Sequence, residues 1–121
     1  MALERSCAVS CGIKWPNDLV CGGRKLCGIL CESFIAHSGR FVVIGIGLNV
    51  NTADFPPELR EIAVSVRQLT GKLTPLPALA ETLTEELDAA VAAARSGGKA
   101  LLEEYRARCV TVGREIGRAH V

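Results

Sequence analysis

The chain of 121 residues has no apolar stretch approaching the roughly 20 residues of a bilayer-crossing helix. Its longest, Phe41 to Val50, falls well short. Its opening segment, MALERSCAVSCG, has no charged region leading into an apolar one. A secretory leader is therefore not expected, and the expected compartment is the cytoplasm. Nor is there a Lys/Arg block. Acids and bases are interleaved and the formal net charge is +1, so broad electrostatic affinity for nucleic acid is not expected. Internal repeats and low-complexity linkers are absent too, and the length suits one compact domain rather than two.

What the chain does have is apolar material, 49% of its residues, enough for a core of its own. It also has six cysteines, at positions 7, 11, 21, 27, 31 and 109. With no leader and a rich aliphatic content, disulfide staples are not required. Cys27 and Cys31 form the best candidate metal pair, but their C-x3-C spacing has no second pair at zinc-finger distance. Positions 27, 29 and 31 share one face if the segment is a strand. That favours small buried thiols filling a core.

Residues 1–11 read as the end of a helix plus a connector. Gly12-Ile13-Lys14 leads into an irregular turn, Trp15-Pro16-Asn17-Asp18, where the proline excludes helix. Leu19-Val20-Cys21 then faces Arg24-Lys25-Leu26 across Gly22-Gly23, whose glycines suit a two-residue hairpin turn. The second hairpin strand continues through Ile35, and His37-Ser38-Gly39 signals another turn. Arg40 to Val50 is nearly continuously apolar, so a central strand covered on both faces is expected. The fold class is α+β, an antiparallel meander packed on helices. Glu58 to Gly71 holds one or two short helical turns. Thr74-Pro75 reads as an N-cap followed by proline at the first helical position. Leu79, Leu83, Leu87, Ala90, Val91 and Ala94 then mark an amphipathic helix, ended by Gly97-Gly98. Lys99 to Cys109 is a second helix, with Leu101, Leu102, Tyr105 and Cys109 inward.

The polar residues of this hairpin carry the chemistry, and each has a plain structural alternative. Lys14, Trp15, Asn17 and Asp18 could line a pocket; equally, the Asn-Asp pair could cap its own turn and Trp15 could be core. With clean alternation, Lys25 shares a face with Cys27 and Ile29. At the edge of that apolar surface it could hold a carboxylate or phosphate oxygen; as an ordinary solvated lysine it would do nothing. Gly28, in mid-strand, marks a close approach or a bulge. Gly45-Ile46-Gly47 lacks the third glycine and the following helix of a dinucleotide fingerprint. Asn49 and Asn51 close the strand, as turn formers or as ligand contacts.

Taken in order, K-W-P-N-D (Lys14–Asp18), R-K-L-C-G-I-L (Arg24–Leu30) and G-I-G-L-N-V-N (Gly45–Asn51) resemble the catalytic core of biotin–protein ligases. The likeness extends through Tyr105-Arg106-Ala107-Arg108-Cys109 to Val112-Gly113-Arg114. Cys27 stands where the family commonly has alanine. The resemblance implies a two-step reaction. Biotin's carboxylate attacks the α-phosphorus of ATP, with Mg2+ as the accompanying cation, giving biotinyl-5′-AMP and pyrophosphate. A lysine of a biotin carboxyl carrier domain of a carboxylase then takes the biotinyl group. It also implies that Lys25 is the catalytic cation and that Gly28 and Ile29 let the biotin ring lie against the strand. Asn17, Asp18 and Asn49 would shape the nucleotide end, with Lys14 and Trp15 as its buttress.

The family's glycine–arginine-rich loop, expected upstream of Lys14, has no counterpart in the sequence. Residues 1–109 are therefore expected to be the C-terminal half of a catalytic domain, with an unpaired sheet edge and little activity alone. Residues 110–115 would begin a small barrel domain. Residues 116–121 match one reading frame of a common sequencing-adapter oligonucleotide and are expected to be a non-native tail, so His120 is left out of every site. The competing readings are a lipoate–protein ligase-like enzyme, a non-catalytic binding module and a small zinc module.

Overall fold

The computed structural model describes residues 2–110. Along it run α1 (Ala2–Cys7), β1 (Gly12–Lys14), β2 (Asp18–Cys21), β3 (Arg24–Ala36), β4 (Gly39–Leu48), α2 (Val66–Thr70), α3 (Leu76–Arg95) and α4 (Lys99–Arg108). The strands form one antiparallel sheet in the order β1-β2-β3-β4, which is the expected meander. The expectations for Val112–Arg114, most of the 110–115 segment and the 116–121 tail lie outside the described residues.

Gly22 and Gly23 join β2 to β3 with φ angles of 58° and 78°, a left-handed pair that suits glycine and matches the twist of the flanking strands. The register then shifts between Leu19 and Val20. Leu19 lies opposite Cys27 and Val20 opposite Lys25, leaving Leu26 as the extra residue of a bulge. The bulge overturns the expected clean alternation. Leu26 and Cys27 both turn into the core, at 0% and 3% exposure, while Lys25 stands on the other face.

The core lies between one face of this hairpin, α1, the segment before α2, and the start of α3. Leu3, Val9, Cys11, Leu26, Val64, Val66 and Leu79 form it, with Leu19, Cys21 and Leu48 packed alongside. The segment before α2 is held by main-chain bonds on both sides of one residue. The Lys25 N–H donates to Ile62 O at 2.8 Å, and the Val64 N–H donates to Lys25 O at 3.0 Å.

Several expectations need correction. β4 is an edge strand of the sheet, not a central one, and Val42 and Val43 are 65% and 55% exposed. Its unbroken apolar character is that of a strand needing cover, and among the described residues no element supplies it. Cys31 is exposed rather than buried, because β3 runs past the end of the core from Leu30 onward. The N-cap of α3 is Pro75, not Thr74. Thr74 is engaged by Asn51 instead: its N–H donates to Asn51 Oδ1 at 2.8 Å, and Asn51 Nδ2 donates to Thr74 O at 2.9 Å. Within the apolar stripe of α3 only Leu79 is buried; Ala90, Val91 and Ala94 are exposed. On α4, Leu102 points outward at 60% exposure. Tyr105 reaches back to the turn after β1, donating to Pro16 O at 3.3 Å. Among the described residues no helix is long and apolar enough to cross a membrane.

Candidate functional site

The face of the hairpin opposite the core carries a shallow cleft of about 470 Å³, with Asn17, Asp18, Lys25, Gly28 and Ile29 in its wall and Gly45 and Gly47 in its floor. The sheet register explains the floor. Gly28 lies opposite Gly47, and Leu30 opposite Gly45, so three glycines share one face of two paired strands and leave bare backbone between them. A Cβ added at Gly45 would come no closer than 3.7 Å to Leu30 O, and one at Gly47 no closer than 3.8 Å to Gly28 O. These are ordinary contacts. The packing of the chain tolerates side chains there, so the open floor is space available to something else.

Gly28 is different. A Cβ there would sit 3.0 Å from both Cε and Nζ of Lys25. The lysine side chain therefore lies across the glycine, and its ammonium pairs with Asp18 Oδ1 at 3.4 Å. Both groups remain substantially in contact with solvent, Lys25 at 52% and Asp18 at 30% side-chain exposure, so the pair contributes little to stability. Its value is positional: the charge is held at the mouth of a floor made of three glycines and bordered by Leu30.

The other walls are built by hydrogen bonds. Asn17 clasps β3 twice: its Nδ2 donates to Ile29 O at 2.6 Å and its carbonyl accepts from the Ile29 N–H at 3.0 Å. That fixes the turn carrying Asp18 against the strand carrying Gly28. Asn49 is not turned into the cleft. Its Nδ2 donates to Lys25 O at 3.4 Å and Val64 O at 3.3 Å, so it steadies the backbone beneath Lys25. Trp15 is 58% exposed and lies outside the cleft lining, neither core nor pocket wall. Lys14 is paired with Asp18 in the β1–β2 ladder, at the rim rather than in the lining. On the core face, burial pushes the Cys27 thiol up to about 11, which keeps it protonated and inert beneath the site.

The structure thus gathers Asn17, Asp18, Lys25, Gly28 and Ile29, and leaves Lys14, Trp15 and Asn49 at the margin. The residues that sequence reasoning missed are Gly45 and Gly47. Their i, i+2 spacing on a strand was the available signal, because it puts both on one face. No group of three His, Cys, Asp or Glu side chains able to hold a metal occurs among the described residues. Chemically, the arrangement presents one lysine, restrained by one carboxylate, beside three glycines, and a cation so placed can receive a carboxylate or phosphate oxygen.

A sequence model of the biotin/lipoate A/B protein ligase family matches residues 4–49. The biotin–[acetyl-CoA-carboxylase] ligase of Mycobacterium tuberculosis is 39% identical over 105 residues, covering 87% of this chain and 37% of that protein. The bifunctional ligase/repressor BirA of Bacillus subtilis is 44% identical over 73 residues, 58% of this chain and 22% of that protein. Among solved structures, the biotin protein ligase of Aquifex aeolicus in complex with biotin and ATP superposes with a TM-score of 0.82. That match covers 97% of this chain and 50% of the other at 23% identity, a likeness of fold. The chain is thus similar to the biotin/lipoate A/B protein ligase family over residues 4–49 and to biotin–protein ligases over most of its length, and it spans 37% of the M. tuberculosis relative.

Proposed function

We propose that the cleft is the adenylation site of a biotin–protein ligase. It would take biotin and MgATP, form biotinyl-5′-AMP, and pass the biotinyl group to a lysine of a biotin carboxyl carrier domain. The observation that carries this reading is the Lys25–Asp18 pair poised over the glycine floor. The first step brings a carboxylate against a polyphosphate, and the obstacle is repulsion between anions. A cation aimed at the place where they meet offsets that repulsion and stabilises charge in the transition state. Asp18 holds the Lys25 ammonium at that place until a substrate anion replaces it. Gly28, Gly45 and Gly47 let the biotin bicycle approach the strands closely, and Asn17 keeps the wall at Ile29 closed.

Magnesium, as we read it, arrives with the nucleotide. Mg2+ is usually held by one or two carboxylates together with substrate phosphates, and Asp18 is the carboxylate lining the cleft. In the second step the amine of the acceptor lysine attacks the acyl carbon, the acyl–phosphate bond breaks, and AMP leaves. Lys25 then faces the departing phosphate. The cytoplasm, where ATP is supplied, is the expected compartment.

The test is calorimetric titration of biotinyl-5′-AMP into the chain and into Lys25→Ala. Loss of a charge-assisted contact removes about 1.5–3 kcal/mol, so affinity should fall roughly tenfold to a hundredfold. The lipoyl adenylate should bind more weakly than the biotinyl one. Equal affinity of the wild type and Lys25→Ala would remove Lys25 from the site. A preference for the lipoyl compound would move the chain to the other branch of the family.

A further inference from the structure

The core face of the sheet carries a second feature that adenylation does not use. Cys11 precedes β1 and Cys21 ends β2. The β1–β2 register pairs Gly12 with Val20, Ile13 with Leu19 and Lys14 with Asp18; carried back one residue, it sets Cys11 opposite Cys21. The Ile13 carbonyl accepts from the Val110 N–H at 2.8 Å and so points away from β2. Ile13 and Leu19 are therefore a non-hydrogen-bonded pair, and by alternation Cys11 and Cys21 are another. Such pairs have Cα atoms about 4.5 Å apart, inside the span of about 4.4–6.8 Å that a disulfide bridges. The side chains agree with the backbone. Cys21 Sγ lies 4.0 Å from Ser10 O, and both cysteines line one cavity of about 530 Å³. Cys27 shares this face but lies opposite Leu19 on β3, two residues out of register with Cys21 and two strands from Cys11, so it is directly opposite neither.

We propose that Cys11 and Cys21 are an oxidisable pair whose cross-strand disulfide locks the turn carrying Asn17 and Asp18. The bond would join the two ends of the segment from Cys11 to Cys21, which contains that turn. The oxidant is a small disulfide such as oxidised glutathione. Cys21 is the half-exposed thiol and Cys11 the buried one, so Cys21 attacks first. Its thiolate displaces one glutathione thiol and leaves a mixed disulfide. Burial pushes the Cys11 thiol up, so the second attack is the slower one: Cys11 gives its proton to solvent, its thiolate attacks the Cys21 sulfur, and the second glutathione thiolate is expelled. Two protein thiols lose two electrons and two protons, and one glutathione disulfide becomes two thiols.

To test this, the folded 121-residue chain is incubated with oxidised glutathione, quenched by alkylation, cut with trypsin and weighed by mass spectrometry. The expected product joins peptide 6–14 to peptide 15–24, with fragment ions placing the link on Cys11 and Cys7 alkylated. A Cys7→Ser chain should give the same link. In Cys11→Ala, Cys21 should keep its glutathione. In urea the pairing should scatter over all the cysteines. Stable glutathione on Cys21 of the wild type, an equal yield of links to Cys7 or Cys27, or no oxidation at Cys21 would each overturn the proposal.

Discussion

Gly28 ties the fold to the chemistry at a single Cα. Glycine inside a strand ordinarily costs about 0.5–1 kcal/mol relative to alanine, yet here a methyl group would strike the end of the Lys25 side chain at 3.0 Å. That end is flexible and can move away, but only by leaving Asp18. Gly28→Ala should therefore separate stability from binding. The urea midpoint should hold or rise, while affinity for biotinyl-5′-AMP should fall to between that of the wild type and that of Lys25→Ala. A drop in both, or in neither, would mean that the lysine does not depend on the bare Cα beneath it. The family resemblance of K-W-P-N-D and R-K-L-C-G-I-L pointed to Asn17, Asp18, Lys25, Gly28 and Ile29, which the cleft gathers, and also to Lys14 and Trp15, which it does not. It did not foretell that Asn49 turns inward to carbonyls. An asparagine at a strand end can serve a ligand or the backbone, and only the arrival of Val64 beside Lys25 decides between them.

At the scale of elements, local signals were legible and long-range ones were not. The Gly22-Gly23 turn, the helix α3 and its stop at Gly97-Gly98 all follow from residues near in sequence, whereas the burial of the α3 stripe beyond Leu79 does not. The bulge at Leu26 and the bond between Lys25 and the Ile62–Val64 segment depend on partners distant in sequence, and period-2 alternation misses both. The short helix α2 shows how such a segment is secured. Ser65 is fully buried and caps the helix reciprocally with Gln68. Its Oγ accepts from the Gln68 N–H at 3.1 Å, its N–H donates to Gln68 Oε1 at 3.0 Å, and its hydroxyl donates to Thr52 O at 2.6 Å. Removing the hydroxyl breaks the cap and orphans a carbonyl. Ser65→Ala should cost about 1–2 kcal/mol, read as a lowered denaturant midpoint at constant slope. Because Val64 adjoins it and bonds Lys25 O, the same variant should weaken adenylate binding through the strand's position. An unchanged midpoint would show that the cap is not what anchors this segment.

Across the whole molecule, one end of the sheet is packed and the other is bare. The β3–β4 hairpin leaves the core near Leu30, and beyond it Phe34, Ile35, Phe41, Val42 and Val43 are each 48% exposed or more. Edge strands in soluble proteins are usually blunted by lysine, proline or a bulge. β4 reads GRFVVIGIGL, with one arginine near its start and none of those devices afterward. Its open backbone edge is a template for another strand, and its apolar faces reward the pairing. The chain should therefore self-associate in a concentration-dependent way, seen as a sedimentation coefficient that climbs with loading. Val42→Lys together with Val43→Lys places a charge on each face of the edge and should return the chain to a single slow species. Both positions lie outside the cleft, whose β4 residues are Gly45 to Gly47, so affinity for biotinyl-5′-AMP should stay as it was. A wild type that sediments as one small species at every concentration would mean that the bare hairpin is not sticky. Association that survives the double substitution would move the contact to another surface.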